Sequence, residues 1–296
     1  MKILLTGATG FVGGHVGREL AKQGHDVVVV SRDPKRAKIE LSFASHAVTW
    51  DGLHDAVEIQ GIVHLAGDSV ANGRWTKQKK ERIVASRIDT TRKIIDFIHT
   101  AKVKPEVFVS ASAVGFYGDC GEELLMEEAS PGSDFLAGVC LAWENEALRA
   151  EELGVRTVVL RLGMVLGKDG GAFAKILPIF KWGLGGRLGS GDQWMSWIHI
   201  RDLSRMFCFA IERESVRGIY NAVAPRAARN WEFTQALAAA LKRPAFFPVP
   251  GFALKIMLGE MSTMLLGSQR ADPAKIVNHG FSFDFIELEH AFQDLV

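Results

Sequence analysis

A chain of 296 residues that is 48% hydrophobic and 23% charged can bury a large core, which excludes a disordered or fibrous polypeptide. The net charge of +1, with lysines and arginines spread along the chain, leaves no electrostatic footprint for nucleic acid. Three cysteines, Cys120, Cys140 and Cys208, have neither metal-ligand spacing nor a disulfide framework, so a reducing, cytoplasmic setting and no metal are expected.

Lys2 to Thr6 is a short apolar run ended by a glycine, as in a strand buried on both faces. It starts almost at the first residue, so no signal peptide is expected. Gly7-Ala8-Thr9-Gly10-Phe11-Val12-Gly13 follows. In a strand-turn-helix setting this spacing fits a dinucleotide pyrophosphate: Gly7 turns the chain, Gly10 admits the phosphates, and Gly13 lets the helix pack closely. The helix predicted over Phe11 to Gln23 then aims its first amides at the phosphates, and Gly24 stops it. Asp26 to Val30 reads as a second parallel strand. Where an NAD site places an acidic residue to hold the ribose hydroxyls, this chain has Ser31 and Arg32. A guanidinium there matches the 2′-phosphate of NADP. The alternative is a solvated basic loop, because Asp33-Pro34-Lys35-Arg36 comes next.

Further strands are expected at Ile62 to Leu65, Val107 to Ser110 and Arg156 to Leu160, with helices over Lys77 to Thr100 and Phe135 to Glu152. This alternation is that of a doubly wound parallel sheet. Leu65, Ala66 and Gly67 bring small residues to the carboxyl edge of the sheet, where dinucleotides lie. From about Gly163 the pattern breaks at Gly167-Lys168-Asp169-Gly170-Gly171 and Gly183-Leu184-Gly185-Gly186, and a substrate lobe is expected to begin there. From Asn230 onward the chain reads as mostly helical, with Asp272-Pro273 as a cap and first-turn pair. Phe252 to Gly267 is apolar but interrupted by Lys255 and Glu260, too short to span a bilayer, and reads as a buried helix. No membrane partner is expected.

The ordered motifs now carry a resemblance. The glycine turn, His64-Leu65-Ala66-Gly67, Val109-Ser110-Ala111-Ser112, Arg161-Leu162-Gly163 and Trp197-Ile198-His199-Ile200-Arg201-Asp202 resemble the extended short-chain dehydrogenase/reductase superfamily. Three further stretches are similar to its nucleoside-diphosphate-sugar epimerase-like branch. They are Ser110 to Gly118, the Asp134-Phe135-Leu136 and Trp143-Glu144 pair, and Gly185 to Gln193. The resemblance implies a Rossmann-type α/β domain over residues 1–162 with returning elements near 195–225. Residues 163–296 become a smaller, mostly helical C-terminal substrate lobe. It also implies cofactor contacts from Arg87, Ser110, Ala111 and Arg161 besides those of the glycine turn, although Arg87 also fits a surface arginine on a long basic helix.

Active members of that superfamily use a Tyr and a Lys four positions later, the Lys lowering the tyrosine pKa and the Tyr exchanging a proton with substrate. Tyr117 and Tyr220 are followed four residues on by Gly121 and Ala224, and Val139 and Trp143 stand at the matching spacing on the helix. No residue takes over the pair's roles. Ser112 matches the serine that binds the substrate oxygen, with Ser110 and Ala113 as alternative alignments, and Tyr117 is the second catalytic candidate. His199 reads as a satisfied structural histidine, Asp202 as a helix cap, and Glu144, Glu146 and Arg149 as a solvated helix face. Gly185 to Gln193 suits a loop over a ligand or a connection pinned by Trp194 and Trp197. The expected function is an NADP-dependent oxidoreductase or epimerase acting on a small carbonyl or sugar nucleotide. The alternative is an NADPH-binding regulator without turnover. Neither the substrate nor the oligomeric state is named by the sequence.

Overall fold

A computed structural model describes residues 1–55 and 58–296. Seven parallel strands form one sheet: β1 (Lys2–Thr6), β2 (Asp26–Val30), β3 (Ala44–Val48), β4 (Gly61–His64), β5 (Val107–Ala113), β6 (Arg156–Leu162) and β7 (Gly218–Ala222). Their spatial order is β3-β2-β1-β4-β5-β6-β7. The order reverses between β1 and β4, and a doubly wound sheet opens its ligand crevice at that switch point. Two of these strands, β3 and β7, are additional to those predicted. Two others run past their predicted ends, because Ala111, Ser112 and Ala113 of β5 stay in register with Leu160, Arg161 and Leu162 of β6.

The predicted helices form where their caps direct. Helix α1 (Phe11–Lys22) ends at Gln23, and Gly24 takes a φ of +83°. Where the sequence offered only a basic loop, Asp33 accepts a bond from the Arg36 amide and starts a further helix, α2 (Pro34–Glu40), whose first-turn proline lacks the amide that would go unpaired. Thr76 caps α3 (Lys77–Thr100) and Asp134 caps α4 (Phe135–Glu152) in the same way. The apolar faces of α3 and α4 close over one side of the sheet, burying Ile94, Ile98 and Ala147 against Leu4, Ile62 and Phe108. Helix α5 (Gly171–Lys181) leaves the sheet. Helix α6 (Ile200–Glu212) returns to it and packs beside α1, and β7 follows at the edge.

Helices α7 (Asn230–Leu241), α8 (Gly251–Leu258), α9 (Thr263–Leu266), α10 (Ala274–Asn278) and α11 (Leu288–Leu295) complete the chain. A second core joins α5, α7 and α11 through Phe173, Leu177, Phe233, Leu237 and Phe292. The expectation of a buried helix over Phe252 to Gly267 is overturned. In α8 only Leu254 is buried, while Phe252, Ile256 and Met257 are about two-thirds exposed. The stretch is broken by Gly259, at a φ of +62°, into two short helices and a turn. Its apolar composition does not find a partner surface on every side.

Asp202 is a second correction. His199 occupies the cap of α6, its Nδ1 accepting from the Arg201 amide. Asp202 lies inside the first turn, fully buried, and its two oxygens accept from the amides of Asp284 and Phe285 at 2.9 Å each. It thereby ties the C-terminal segment to α6. His199 itself is buried in contact with Phe285, ring centroids 3.8 Å apart, and burial lowers its pKa to about 4 against the pull of Asp294. Its Nε2 lies 3.3 Å from Asp294 Oδ2 but has no hydrogen bond, so the ring is buried without being fully satisfied. No helix among the described residues is long and apolar enough to cross a membrane.

Candidate functional site

The turn after β1 is built by glycines that cannot be replaced without collision. Gly7 has a φ of +71°, and a Cβ there would lie 2.6 Å from the Leu65 carbonyl carbon at the end of β4. A Cβ on Gly13 would lie 2.1 Å from the Gly7 oxygen. The turn is closed by the Gly10 amide donating to the Gly7 oxygen at 2.9 Å. Gly10 caps α1 without a side-chain bond, so the first-turn amides of Phe11, Val12 and Gly13 have no capping side chain. Thr9 and Gly10 are exposed. This is the donor set that a pyrophosphate meets at a helix N-terminus. The Phe11 ring points elsewhere: it fills a hollow where a Cβ on Gly170 would lie 2.4 Å from its Cγ. The glycines read as breakers in the sequence therefore make room for this ring, and His15 on the same helix reaches Asp169 at 2.8 Å.

At the end of β2 the Ser31 hydroxyl donates to the Asp33 carbonyl and accepts from the Asp33 amide, both at 3.1 Å. That turn leaves Arg32 exposed and without a hydrogen bond or ion pair among the described residues. The neighbouring Arg36 is occupied by Glu40 at 2.7 Å. Of the two guanidiniums near this strand end, Arg32 is the one free to meet a phosphate.

At the end of β4, buried His64 is held between the Thr6 hydroxyl at 2.7 Å and the Thr91 hydroxyl at 3.0 Å. Burial, with help from the Arg87 charge, brings its pKa down to about 3. A neutral, clamped imidazole fixes the path of Leu65, Ala66 and Gly67 next to the glycine turn. Arg87 on α3 lies against Gly67, where a Cβ would come 3.1 Å from its guanidinium carbon. One of its nitrogens donates to the carbonyls of Asp68 and Ile83 at 3.1 Å, and the guanidinium sits over Trp143. Two of its basic neighbours on that helix are taken up by acids: Lys79 pairs with Asp68 at 2.8 Å, and Lys80 pairs with Glu260.

These strand ends open on a cavity of about 1180 Å³, larger than most small-molecule sites. Val12, Leu65, Gly67, Arg87, Ala111, Ser112 and Tyr117 all line it, as do Val139 and Trp143 at the spacing where a Tyr-Lys pair is missing. Ser110 does not reach it. That side chain is fully buried and its hydroxyl turns to the Ala111 carbonyl at 3.2 Å.

Beneath the cavity lies a polar network the sequence did not disclose. The Ser112 hydroxyl donates to Glu144 Oε1 at 2.6 Å. Arg161 forks the same carboxylate, Nε to Oε1 at 2.9 Å and Nη2 to Oε2 at 2.8 Å, with both side chains almost wholly buried. Its remaining nitrogen donates to the Tyr117 hydroxyl and to the Glu127 carbonyl, each at 2.9 Å. Tyr117 in turn donates to Asn221 Oδ1 at 2.7 Å. Burial raises the tyrosine's pKa, against the opposing pull of Arg161. Glu127 accepts from the Asn221 amide at 2.9 Å, and burial raises its pKa as well.

Three expectations change on this geometry. Glu144 and Glu146 are not a solvated face: Glu144 is buried against Arg161, and Glu146 is held at the edge of burial by Arg92 and Arg149. Arg161 does not line the cavity, because every nitrogen is committed to Glu144, Tyr117 or Glu127, so it is removed from the cofactor contacts. Tyr117 presents its ring to the cavity while its hydroxyl proton is bonded to Asn221, which makes it an anchor between the turn after β5 and β7 rather than a free acid. The Gly185 to Gln193 stretch borders the cavity and is pinned at its end. Gly185, Gly186 and Leu188 line the cavity, while Leu188 bridges Val249 and Trp194 Nε1 donates to Glu122 at 2.9 Å. Among the described residues no group of three or more His, Cys, Asp or Glu is placed to hold a metal ion.

Comparison with known proteins agrees with this architecture. A family model described as the NAD dependent epimerase/dehydratase family matches residues 3–222. Another, described as a domain of unknown function (DUF1731), matches residues 249–295. An Arabidopsis thaliana protein named epimerase family protein SDR39U1 homolog, chloroplastic, is 39% identical over 307 residues, covering 100% of this chain and 87% of that protein. Epimerase family protein YfhF of Bacillus subtilis is 38% identical, covering 100% of this chain and 98% of that one. A crystal structure of human epimerase family protein SDR39U1 (isoform 2) with NADPH has a TM-score of 0.93 at 34% identity, covering 100% and 99% of the two chains. A Bacillus cereus UDP-glucuronic acid 4-epimerase in complex with UDP-glucuronic acid and NAD has a TM-score of 0.78 at 20% identity, covering 99% and 97%. That last likeness concerns the fold.

Proposed function

The chain belongs to the NAD dependent epimerase/dehydratase family, and from that premise we propose that it is an NADP-dependent oxidoreductase or epimerase acting on a small carbonyl compound or sugar nucleotide. Residues of the glycine turn fit the cofactor: Gly7, Gly10 and Gly13 leave bare backbone, and the amides of Phe11 and Val12 have no capping side chain before them. Thr9 would flank the pyrophosphate, Leu65, Ala66 and Gly67 the adenosine side, and Arg87 with Ala111 the far side. Ser31 and Arg32 would hold the 2′-phosphate, which favours NADP over NAD, and the human relative solved with NADPH supports the same choice. Bound there, the nicotinamide supplies or accepts the hydride.

The observation that carries a catalytic reading is the 2.6 Å bond from Ser112 to Glu144 at the cavity wall. A substrate hydroxyl that reaches Ser112 can pass its proton to the serine oxygen as the serine proton passes to Glu144. In the reducing direction the path runs backward from a Glu144 that has first taken up a proton: Ser112 donates to the developing alkoxide as Glu144 returns its proton to the serine oxygen. Arg161 neutralises the carboxylate and holds it square to Ser112, so the relay is already in position before substrate arrives. This pair would stand in for the missing Tyr-Lys pair, with the serine on β5 and the carboxylate on α4 next to Trp143.

One observation favours the reading of a regulator without turnover: Val139 and Trp143 occupy the pair's own positions and carry no exchangeable acid. Titration with NADPH and NADH, followed by a screen of carbonyl compounds for oxidation of bound NADPH, separates the readings. Turnover that is lost in Ser112→Ala supports the enzyme. Tight NADPH binding with no carbonyl consumed supports the regulator.

A further inference from the structure

We infer that the substrate cavity is built for an uncharged, largely hydrocarbon carbonyl compound and not for a nucleoside diphosphate. This rests on the proposed oxidoreductase site and names its substrate class. Beyond Ser112 the walls are formed mainly by apolar side chains such as Ile176, Phe180, Leu188, Met195, Phe233 and Leu265, contributed by α5, α7, the segment between them and α9. The apolar lining continues outward through Ile179 and Leu184, which are half-exposed or more at the mouth.

Charge on the lining is sparse, and what lies within it is engaged. Arg87 is held against the carbonyls of Asp68 and Ile83 beside Gly67, on the cofactor side, and Lys255 lies on the exposed outer rim. The acids are bound to backbone: Asp119 accepts from the Ser268 amide at 3.0 Å and Asp134 from the Ala137 amide at 2.9 Å. A diphosphate brings two negative charges that lose their water on entry, and a wall dominated by aliphatic and aromatic carbon, whose polar members Asn230, Gln269 and Ser196 are bonded to backbone, returns little for them. No cluster of cations among the described lining residues stands ready for that load. A hydrocarbon chain gains from the same wall, while one carbonyl oxygen is all that Ser112 needs to orient.

The test uses the full-length protein saturated with NADPH and the uncharged fluorescent probe 1-aminoanthracene. The probe should bind and be displaced by 2-octanone, 2-decanone and 2-dodecanone, with affinity rising about three- to fourfold per added methylene. UDP-glucose and UDP-N-acetylglucosamine should leave the signal unchanged. In Leu184→Asp, a change at an exposed position of the mouth, the 2-decanone affinity should fall at least about fivefold, as an ionised carboxylate replaces apolar surface. Displacement by either UDP-sugar, or ketone affinities that ignore chain length, overturns the inference. Because binding is read without turnover, inert ketones that nevertheless displace the probe would count against the oxidoreductase reading and not against the apolar site.

Discussion

Arg161 and Glu144 meet as a two-pronged ion pair at 2.9 and 2.8 Å, the guanidinium on β6 and the carboxylate on α4, both shut off from solvent. The pair is tied to Phe116, whose ring lies 3.5 Å from the guanidinium carbon, and through Tyr117 to Asn221 on β7. One buried pair thus joins the helix, the centre of the sheet and its edge, and positions Ser112 on the way.

Removing one member leaves the other charged and unpaired in a dry site. Arg161→Met should therefore cost about 3 to 5 kcal/mol of folding stability, read as a lower urea midpoint. Replacing both members, Arg161→Met with Glu144→Leu, should cost less than the single change. Equal losses in the single and double variants would mean that packing, and not the stranded carboxylate, sets the cost.

Ser112→Ala should leave NADPH affinity within about twofold, since only a hydroxyl distant from the glycine turn is lost, and should lower any turnover about a hundredfold, within the range assigned to a positioned proton-transfer group. Parallel NADPH titrations and initial rates check both halves. A rate that survives intact would remove Ser112 from the proton path.

At the other end of the crevice, Arg32→Ala should weaken NADPH about ten- to hundredfold and NADH hardly at all, as expected when charge-assisted bonds to a phosphate are lost. The free guanidinium of Arg32, against the engaged one of Arg36, is what singles it out. Equal weakening of both nucleotides would assign Arg32 to general electrostatics.

Much of this was legible because it is local. The β1 strand, the glycine turn and α1 announce themselves through an apolar run, collisions that only glycine avoids, and a stop at Gly24. The network was not legible, since Glu144 sits in Trp-Glu-Asn-Glu, a polar run that reads as an exposed face. Its partner lies 17 residues away on a strand, and nothing near either residue announces the other. Strand β3 escaped because Ser45 and His46 break its apolar pattern at the sheet edge, and β7 because it is a short run near the edge whose pairing comes from distant β6. The exposure of α8 was hidden for the opposite reason: composition reports how apolar a segment is, and not whether a neighbour covers it.

Gly13→Ala puts a methyl 2.1 Å from the Gly7 oxygen, where only backbone can yield. The expected cost is about 1 to 3 kcal/mol from overpacking, with NADPH binding lost in proportion as the turn is pushed open. Gly24→Ala is the control, since a Cβ there meets nothing within 4 Å and is penalised only by the φ of +83°. It should lose stability without losing affinity.

His64 and His199, both buried, give stability a pH dependence with a defined sign. His64 falls from the ordinary 6.5 to about 3, and His199 to about 4, in both cases chiefly because burial disfavours the charged ring. The unfolded chain therefore binds more protons than the folded one between about pH 6.5 and the folded values. The contribution of each residue is fully present above pH 6.5 and is lost as the pH falls toward 3 for His64 or 4 for His199, at up to about 1.4 kcal/mol per unit for each. Urea midpoints of the wild type and His64→Gln, compared at pH 7.5 and pH 5, isolate the first residue. The variant starts lower, because Thr6 and Thr91 lose their partner, but should lose less on acidification than the wild type. Parallel curves would mean that His64 keeps its ordinary pKa and that its clamp between two hydroxyls admits the proton.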